Sequence, residues 1–529
     1  MSKLNSFFTT NKVQNLIFIL SFMIMAIIFY DSVLDKGPLN KHVWRQTDCL
    51  SITHHYMTGN NLFYPEMHTL RSDDYTKGLS AGEFPILYYI VGNVWKLTGE
   101  SYLVYRTTYL IIMFFGLFAL FKSLQLLFKD VFWSLTLSLF LFTSPVFAFY
   151  GVSFLTDVPA LCFTLIGLFY ILLHNLKHSI RYLYIGFFFI ALAGLLKISS
   201  LIAFIFLIFI LVLESFSIKT INNQPFFFSI KKTWIGVIGT FLVIFSWYLY
   251  AHYFNQKHGF KYTFNDIHPI WLMNGLEVKE LLKIVKVETS YLFFSRPALI
   301  FMAITFLINI VLIRKAALFA SLSNIVIMIG GILYFLLWMP LMGVHDYYYS
   351  SLLILFLGLV LPLFVYLNSH HNLLFHNKIF KGMFLVFFLY NMLYCGQMMQ
   401  LRTVDRSKEY PLIGNIELIK KLRWSNWDGE IAYLPFEEMR GYIRTIGIRA
   451  NDKIIALPDH SFNISLYLLN QRGWTNFSKY SSSGEIQGLI DKGAKYLFIA
   501  NEKTLDQLFL IPFTQHQIGT FKGIKIFSL

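Results

Sequence analysis

His42-Val43-Trp44-Arg45-Gln46-Thr47-Asp48 is a dense polar and aromatic run in a chain that is otherwise mostly apolar. It lies in a segment, Asp31 to Leu103, that separates a first apolar run, Gln14 to Tyr30, from the long apolar stretches that follow. A second cluster in the same segment reads Gly82-Glu83-Phe84-Pro85-Ile86-Leu87-Tyr88-Tyr89. Eight acids fall between these limits: Asp31, Asp35, Asp48, Glu66, Asp73, Asp74, Glu83 and Glu100. In so apolar a chain, this segment is where polar chemistry has room to occur.

The totals agree with that division. Of 529 residues, 56% are hydrophobic and only 14% charged, against roughly a quarter charged in soluble domains. That balance belongs to the polytopic membrane class. The 56 Phe and 31 Tyr suit lipid-facing helices and interfacial belts. A formal charge of +15 does not point to nucleic acid here, because the basic residues are dispersed through short loops and not gathered on one face. Of the three cysteines, Cys162 and Cys395 lie inside apolar runs and Cys49 adjoins Asp48, so no disulfide framework is expected.

Runs near the roughly 20 residues needed to cross a hydrocarbon core predict about eleven transmembrane helices. They are Gln14–Tyr30, Val104–Phe121, Val131–Tyr150, Val158–Leu173, Tyr182–Leu196, Ser199–Leu213, Thr233–Tyr250, Pro297–Ile313, Leu318–Trp338, Ser350–Leu367 and Met383–Gln397. The first follows Lys3 and Lys12 but precedes Tyr30-Asp31-Ser32, which is no cleavage site, so it reads as a retained anchor. Phe84–Leu97 is too brief and too polar at its ends to cross, and an interfacial helix is expected there.

With the amino terminus in the cytoplasm, the inner loops carry Lys122/Lys129, Lys177/Arg181, Lys219/Lys231/Lys232, Arg314/Lys315 and Lys378/Lys381. Each is basic, as the positive-inside rule requires. The outer side then receives Asp31–Leu103, the turn at Asp157, Ala251–Arg296, the turn Gly343–Tyr349 and everything after Arg402. A multi-pass membrane protein, with its large first loop outside, is the expected arrangement.

After Arg402 the periodicity changes. Strands are expected at Glu430–Leu434, Lys453–Leu457 and Lys495–Ala500, helices at Glu437–Ile446, Ile464–Leu469 and Ile486–Lys492, and a hairpin over Gln517–Ser528 turning at Lys522-Gly523. Alternating strands and helices argue a small α/β domain with some parallel pairing. The chain therefore divides into a transmembrane part, 1–401, carrying the loop 31–103, and an outer domain, 402–529.

The candidate chemistry starts at Asp48. Trp44 and Arg45 precede it and Leu50-Ser51-Ile52-Thr53 follows, a pattern that dives into a short helix and shelters the carboxylate. Desolvation lifts a carboxyl pKa toward the range of a general base, and Arg45 opposes that lift. Asp157, in Phe154-Leu155-Thr156-Asp157-Val158-Pro159, reads equally as a helix cap and as a functional acid. Glu83 reads as a solvated entry to its helix. An anion held at the membrane rim would need cations or hydrogen-bond donors, and Arg45, Lys197, Arg296, His345 and Tyr347 are the candidates. A snorkelling role for Lys197 stands beside that reading, and Tyr348 and Tyr349 read as belt residues. Leu457-Pro458-Asp459-His460 ends a strand, the usual ligand position of an α/β fold, although a tight turn explains it more simply.

The order of these pieces resembles a known family: an apolar anchor, His42-x-Trp44-Arg45-Gln46-Thr47-Asp48, Asn61-Leu62-Phe63-Tyr64-Pro65, Glu83-Phe84-Pro85-Ile86-Leu87-Tyr88-Tyr89, then Arg106 opening the next span. It resembles the GT-C superfamily of polyprenyl-phosphate-sugar-dependent glycosyltransferases, in the bacterial branch related to protein O-mannosyltransferases and lipid A aminoarabinose transferases. The match is strongest over the first 200 or so residues, and the many-span layout extends it. The resemblance implies that the acid of the first outer loop, Asp48, is the catalytic base and that Asp157 helps organise the site. It further implies a role for Glu83, which sits where related aminoarabinose transferases carry Glu-Lys-Pro-Pro and the Glu can bind a metal. Here the lysine is replaced by Phe84. A divalent metal would also need a histidine from His252, His258 or His268, and no pair has dedicated ligand spacing; Glu83 with His268 is the minor alternative. Family members carry a His-x-Tyr-Tyr-like run where this chain has His345-Asp346-Tyr347.

The implied activity is inverting transfer of a sugar from a polyprenyl-phosphate donor in the membrane lipid to a glycan, lipid or protein hydroxyl at the outer face. A lipid-linked sugar flippase would instead show mid-span charges or inverted repeats. A polysaccharide polymerase or ligase would carry its working loop late. Neither pattern is found in the sequence.

Overall fold

Apolar runs of sufficient length become helices, because backbone groups in a hydrocarbon layer must be satisfied within their own segment. The computed structural model describes residues 11–38, 42–221, 224–260, 267–403, 433 and 435–529. Among them, eight helices are long and apolar enough to cross a membrane: Asn11–Tyr30, Tyr102–Phe128, Asp157–Lys177, Ile198–Ser215, Ile230–Lys257, Leu318–Leu337, Asp346–His370 and Lys378–Thr403. The helices Gly275–Phe293 and Arg296–Val311 pass the same test only when taken together, and they are bent by 95° at the break between them. Val131–Thr143 and Ile180–Leu196 are shorter apolar helices.

Two sequence expectations need correction. Val131–Tyr150 is not one helix: Val131–Phe140 passes into a 3-10 turn at Leu141–Thr143, and a new helix runs over Pro145–Tyr150. Pro145 lacks an N–H to continue the ladder but suits a first helical turn, and Ser144 Oγ accepts from Phe147 N at 3.4 Å to cap it. The loop expected from Ala251 begins later, because the Ile230–Lys257 helix runs on through that point.

The described residues fall into two compact units. The first comprises those within Met1–Leu34, Arg106–Trp247 and Asp266–Ile419, and the second those within Asp35–Tyr105, Tyr248–Asn265 and Lys420–Leu529. The first is the bundle of long helices. Within it, Asp157–Lys177 and Ile180–Leu196 form a close hairpin. Cβ atoms added at Gly167 and Gly186 would each lie 3.0 Å from the other glycine's carbonyl oxygen, so the two backbones meet at small residues as membrane helices do.

The second unit joins the long polar segment to the C-terminal sheet. Five strands, β1 (Lys453–Leu457), β2 (Gly473–Thr475), β3 (Ala494–Ile499), β4 (Gln517–Phe521) and β5 (Ile524–Ser528), lie in the order β2-β1-β3-β5-β4. β1 pairs parallel with β2 and β3, while β5 runs antiparallel to both β3 and β4. β1 and β3 are apolar runs in the middle of the sheet, as buried parallel strands require. Lys522 and Gly523 turn the hairpin with φ of 45° and 86°, the positive pair that a two-residue I′ turn demands. The helix expected at Ile464–Leu469 is present with those limits. The one expected at Ile486–Lys492 spans Ser483–Asp491, and residues 435–445 are helical. The strand expected at Glu430–Leu434 lies outside the described residues, apart from the helical Tyr433.

The sheet does not make its core alone. Leu70, from the early segment, is buried with Ile455, Leu457, Trp474, Leu497 and Phe527. Its backbone N donates to Gly473 O at 2.8 Å, and Gly473 N donates to His68 O at 3.2 Å.

Replacing Gly186 by Leu should force the helix hairpin apart, since overpacking typically costs about 1–3 kcal/mol. The expected outcome is a lower unfolding temperature in detergent, read by size-exclusion fluorescence, with Gly382→Leu, at a position open on all sides, as the unaffected control.

Candidate active site

The helix Val43–Met57 is polar and yet almost entirely buried: Gln46, Thr47, Asp48, Ser51, Thr53, His54 and His55 are all inside. Polar groups out of water need partners, and this helix finds them both within its own turns and on segments farther along the chain. Thr47 and Thr53 hydroxyls donate to the carbonyls of Trp44 and Cys49, each at 2.8 Å. Ser51 Oγ lies 2.8 Å from His68 Nδ1 and accepts from the His68 backbone N at 2.8 Å. Cys49 Sγ lies 3.2 Å from the Tyr88 hydroxyl.

Asp48 is fully buried. Asn463 Nδ2 donates to its Oδ1 at 2.9 Å, and its Oδ2 has no hydrogen-bond partner among the described residues. Burial pushes its pKa up to about 7, against the opposing pull of Arg45 and of the Asn463 hydrogen bond. The guanidinium of Arg45 is itself paired with Glu83, which also accepts from the Tyr88 hydroxyl at 2.6 Å. Arg45 and Glu83 thus form a pair beside the carboxylate, and Glu83 is not the solvated helix entry that its sequence position suggests.

One turn before Asp48 the same helix carries an aromatic group, and about two turns after it a pair of histidines. The Trp44 ring packs 5.3 Å from Phe462 and 5.7 Å from Phe477. His54, His55 and His68 cluster with ring centroids 4.9 to 5.9 Å apart. Burial holds His55 and His68 below the usual histidine range, so both stay neutral. Glu100 closes the cluster: burial would raise its carboxyl, but His54, Arg440 and Tyr467 together bring it down to about 2. Asp459 is held differently. Its carboxylate accepts from the backbone N–H and hydroxyl of both Ser461 and Ser465 at 2.6 to 2.9 Å, which makes it a turn-forming group.

The first unit holds a separate polar cluster. Asp157 opens the helix Asp157–Lys177 as its first residue; Thr156 occupies the cap position and no side-chain cap forms. Asp157 is therefore not the cap its sequence suggested. Lys197 Nζ stands 2.9 Å from Asp157 Oδ1, but that oxygen makes no hydrogen bond of acceptable angle, so the contact is an ion pair. The ammonium also lies 5.6 Å from the Tyr347 ring and 5.0 Å from that of Tyr348, and His345 is 5.4 Å from Tyr347. Four of the residues singled out in the sequence, Asp157, Lys197, His345 and Tyr347, thus converge. Arg296 has a different neighbour, with its guanidinium 5.8 Å from the Tyr291 ring. Asp346 is buried in an ion pair with Arg402 and accepts from the Tyr150 hydroxyl. These two charges stand at the ends of their helices, Asp346–His370 and Lys378–Thr403, and not in mid-span.

Among the described residues no group of three or more His, Cys, Asp or Glu side chains has the geometry to hold a metal. His258 Nδ1 is 2.8 Å from Asp73 Oδ1, and His268 donates its backbone N to Leu337 O at 3.0 Å.

Solved structures share this architecture. ArnT from Cupriavidus metallidurans bound to undecaprenyl phosphate superposes with a TM-score of 0.57 at 9% identity, over 98% of this chain and 98% of that one. The archaeal oligosaccharyltransferase AglB from Archaeoglobus fulgidus, in complex with an inhibitory peptide and a dolichol-phosphate, gives 0.52 at 11% identity, over 92% of this chain and 69% of that one. This chain shares the fold of these two structures. At these identities the likeness establishes a shared fold and not the reaction. No protein-family model and no curated protein matches the sequence.

Sequence reasoning missed Asn463, which touches Asp48 from 415 residues away, and the histidine cluster with Glu100. No local pattern announces either, because both are made by distant segments meeting.

An aspartate in an unfolded chain titrates near 4, and Asp48 in the folded protein near 7, so folding favours the protonated form. Stability is full below the lower value and falls by about 1.4 kcal/mol per pH unit on the way to the upper one. The unfolding temperature of Asp48→Asn should therefore rise relative to wild type between pH 5 and pH 8. An offset that does not change with pH would mean Asp48 titrates normally.

Proposed function

We propose that the protein is an inverting glycosyltransferase that moves a sugar from a polyprenyl-phosphate donor to an acceptor hydroxyl at the outer face of a bacterial inner membrane. The observation that carries this reading is the state of Asp48: a fully buried carboxylate with one oxygen unpartnered among the described residues and a pKa near neutrality, in a chain of GT-C-like fold. A group so poised takes up a proton near neutral pH.

In the proposed reaction Asp48 accepts the proton of the acceptor hydroxyl as that oxygen attacks the anomeric carbon. The bond from that carbon to the phosphate oxygen breaks, and polyprenyl phosphate leaves with the electron pair. Cations and hydrogen-bond donors stabilise the departing phosphate where its charge grows. Lys197, with His345 and Tyr347 near it, suits that role best. Lys197 is held by Asp157, which we read as a positioning residue. Arg45 and Glu83 set the field at Asp48, and Arg296 is a further candidate for the lipid phosphate. The bundle of long apolar helices supports a multi-pass setting, and the basic inner loops support a cytoplasmic amino terminus. The mid-span charges that a flippase would need are not what Asp346 and Arg402 supply, since they stand at helix ends.

The test is transfer by the purified protein in nanodiscs supplied with radiolabelled polyprenyl-phosphate sugars and envelope glycans as acceptors. Asp48→Asn should lose about two to four orders of magnitude in rate, the usual worth of general-base help, while inserting normally; full activity in that variant would remove Asp48 from the mechanism. The wild-type rate should climb with pH to a plateau above about 7, where the base form predominates.

Asn463→Leu keeps the site dry but removes a hydrogen bond that lowers the Asp48 pKa, so the midpoint of that profile should move to higher pH. Lys197→Gln should instead lower kcat for transfer from the lipid donor and leave the pH midpoint in place.

A further inference from the structure

The sheet of the second unit carries a cleft that the proposed reaction does not use. Strand order β2-β1-β3 means that the chain leaves β1 toward β2 on one side and leaves β3 away on the other. Loops that part in this way open a crevice at the carboxyl ends of the parallel strands, where α/β sheets bind ligands. A cavity of about 240 Å³ lies there, smaller than the several hundred Å³ of a drug-sized site and suited to one sugar ring. Its walls come from the ends of all three parallel strands: Pro458 and His460 after β1, Asn476 and Tyr480 after β2, Asn501, Lys503 and Phe509 after β3.

The chemistry of the walls is one-sided. No Asp or Glu lines the cleft, and the nearest acid in the β1 loop, Asp459, is consumed by its two serines. Asn476 Oδ1 accepts from Asp459 N at 2.6 Å and Asn501 Oδ1 from Thr504 N at 2.8 Å. With both carbonyl oxygens engaged, each asparagine offers its Nδ2 amide as a donor. Tyr480 lines the cleft beside Phe509, and the exposed Lys503 adds an ammonium. Donors, one cation and two aromatic faces, from Tyr480 and Phe509, are what an oxyanion on a sugar ring requires.

We propose that this cleft binds a monosaccharide unit carrying a carboxylate or a phosphate, with the anion at Lys503 and the asparagine amides and the ring against Tyr480 and Phe509. It follows from the glycosyltransferase reading that such a unit belongs to the acceptor glycan; the binding itself does not depend on that reading.

The test is ligand-observed NMR on the full chain in nanodiscs, with glucuronate, glucose 6-phosphate, glucose and inorganic phosphate as probes. Binding by glucuronate, by glucose 6-phosphate or by both, with glucose and phosphate at least about tenfold weaker, supports the proposal, and the stronger of the two names the anion. Lys503→Gln should weaken the bound sugar by about tenfold, the worth of a charge-assisted hydrogen bond. Phe509→Ala should weaken the sugars and leave inorganic phosphate unchanged. Equal binding of glucose, equal binding of phosphate alone, or affinity indifferent to both substitutions overturns it. Asp48→Asn should bind the same probes as wild type, so loss of transfer and loss of this site are told apart.

Discussion

A helix made largely of hydrogen-bonding side chains has been taken out of water on every side, and the second unit is arranged around that burden. An unmet buried donor or acceptor costs about 1–3 kcal/mol, so Val43–Met57 is stable only while its neighbours supply partners. They do so from four separate stretches: His68 for Ser51, Tyr88 for Cys49, Glu100 for His54 and Asn463 for Asp48. A helix with an apolar stripe would need only one packing partner. This one needs a shell.

That shell leaves one oxygen of Asp48 unmet, and the contrast with the other acids is instructive. Glu83 has Arg45, Glu100 has His54 and Arg440, Asp157 has Lys197, and Asp459 has four hydrogen bonds. In a desolvated place Asp48 has, among the described residues, one hydrogen bond from a neutral amide, and its nearby Arg45 is paired with Glu83. An unpaired carboxyl there moves its pKa rather than staying charged, which turns a structural deficit into a proton acceptor at neutral pH.

Much of this could be read from the residues and some could not. The helices, the parallel strands and the hairpin at Lys522-Gly523 follow from local periodicity and turn chemistry, and the described helices correspond closely to the apolar runs. Pro145 was visible, yet an apolar run continues across it, and hydropathy alone hid the break. Asp48 stood out because aromatic and apolar residues surround it in sequence. Asp157 looked like a cap because sequence shows its neighbours on the helix and not Lys197, forty residues on. Asn463 and the histidine cluster were invisible for the same reason: what makes them matter is contact between segments separated by most of the chain.

The reach from Asp48 to Asn463 and from Leu70 to the sheet core has a consequence for biogenesis. A ribosome adding about 5–20 residues per second takes tens of seconds to make the 415 residues between these partners. During that interval the early segment has left the ribosome with its polar helix and its hydrophobic Leu70 uncovered. Either it remains unfolded until the last strands arrive, or a chaperone must hold it. The last stretch of the polypeptide is therefore a licence for the first, and a chain cut short after its spans would reach the membrane with its earliest loop exposed to quality-control proteases.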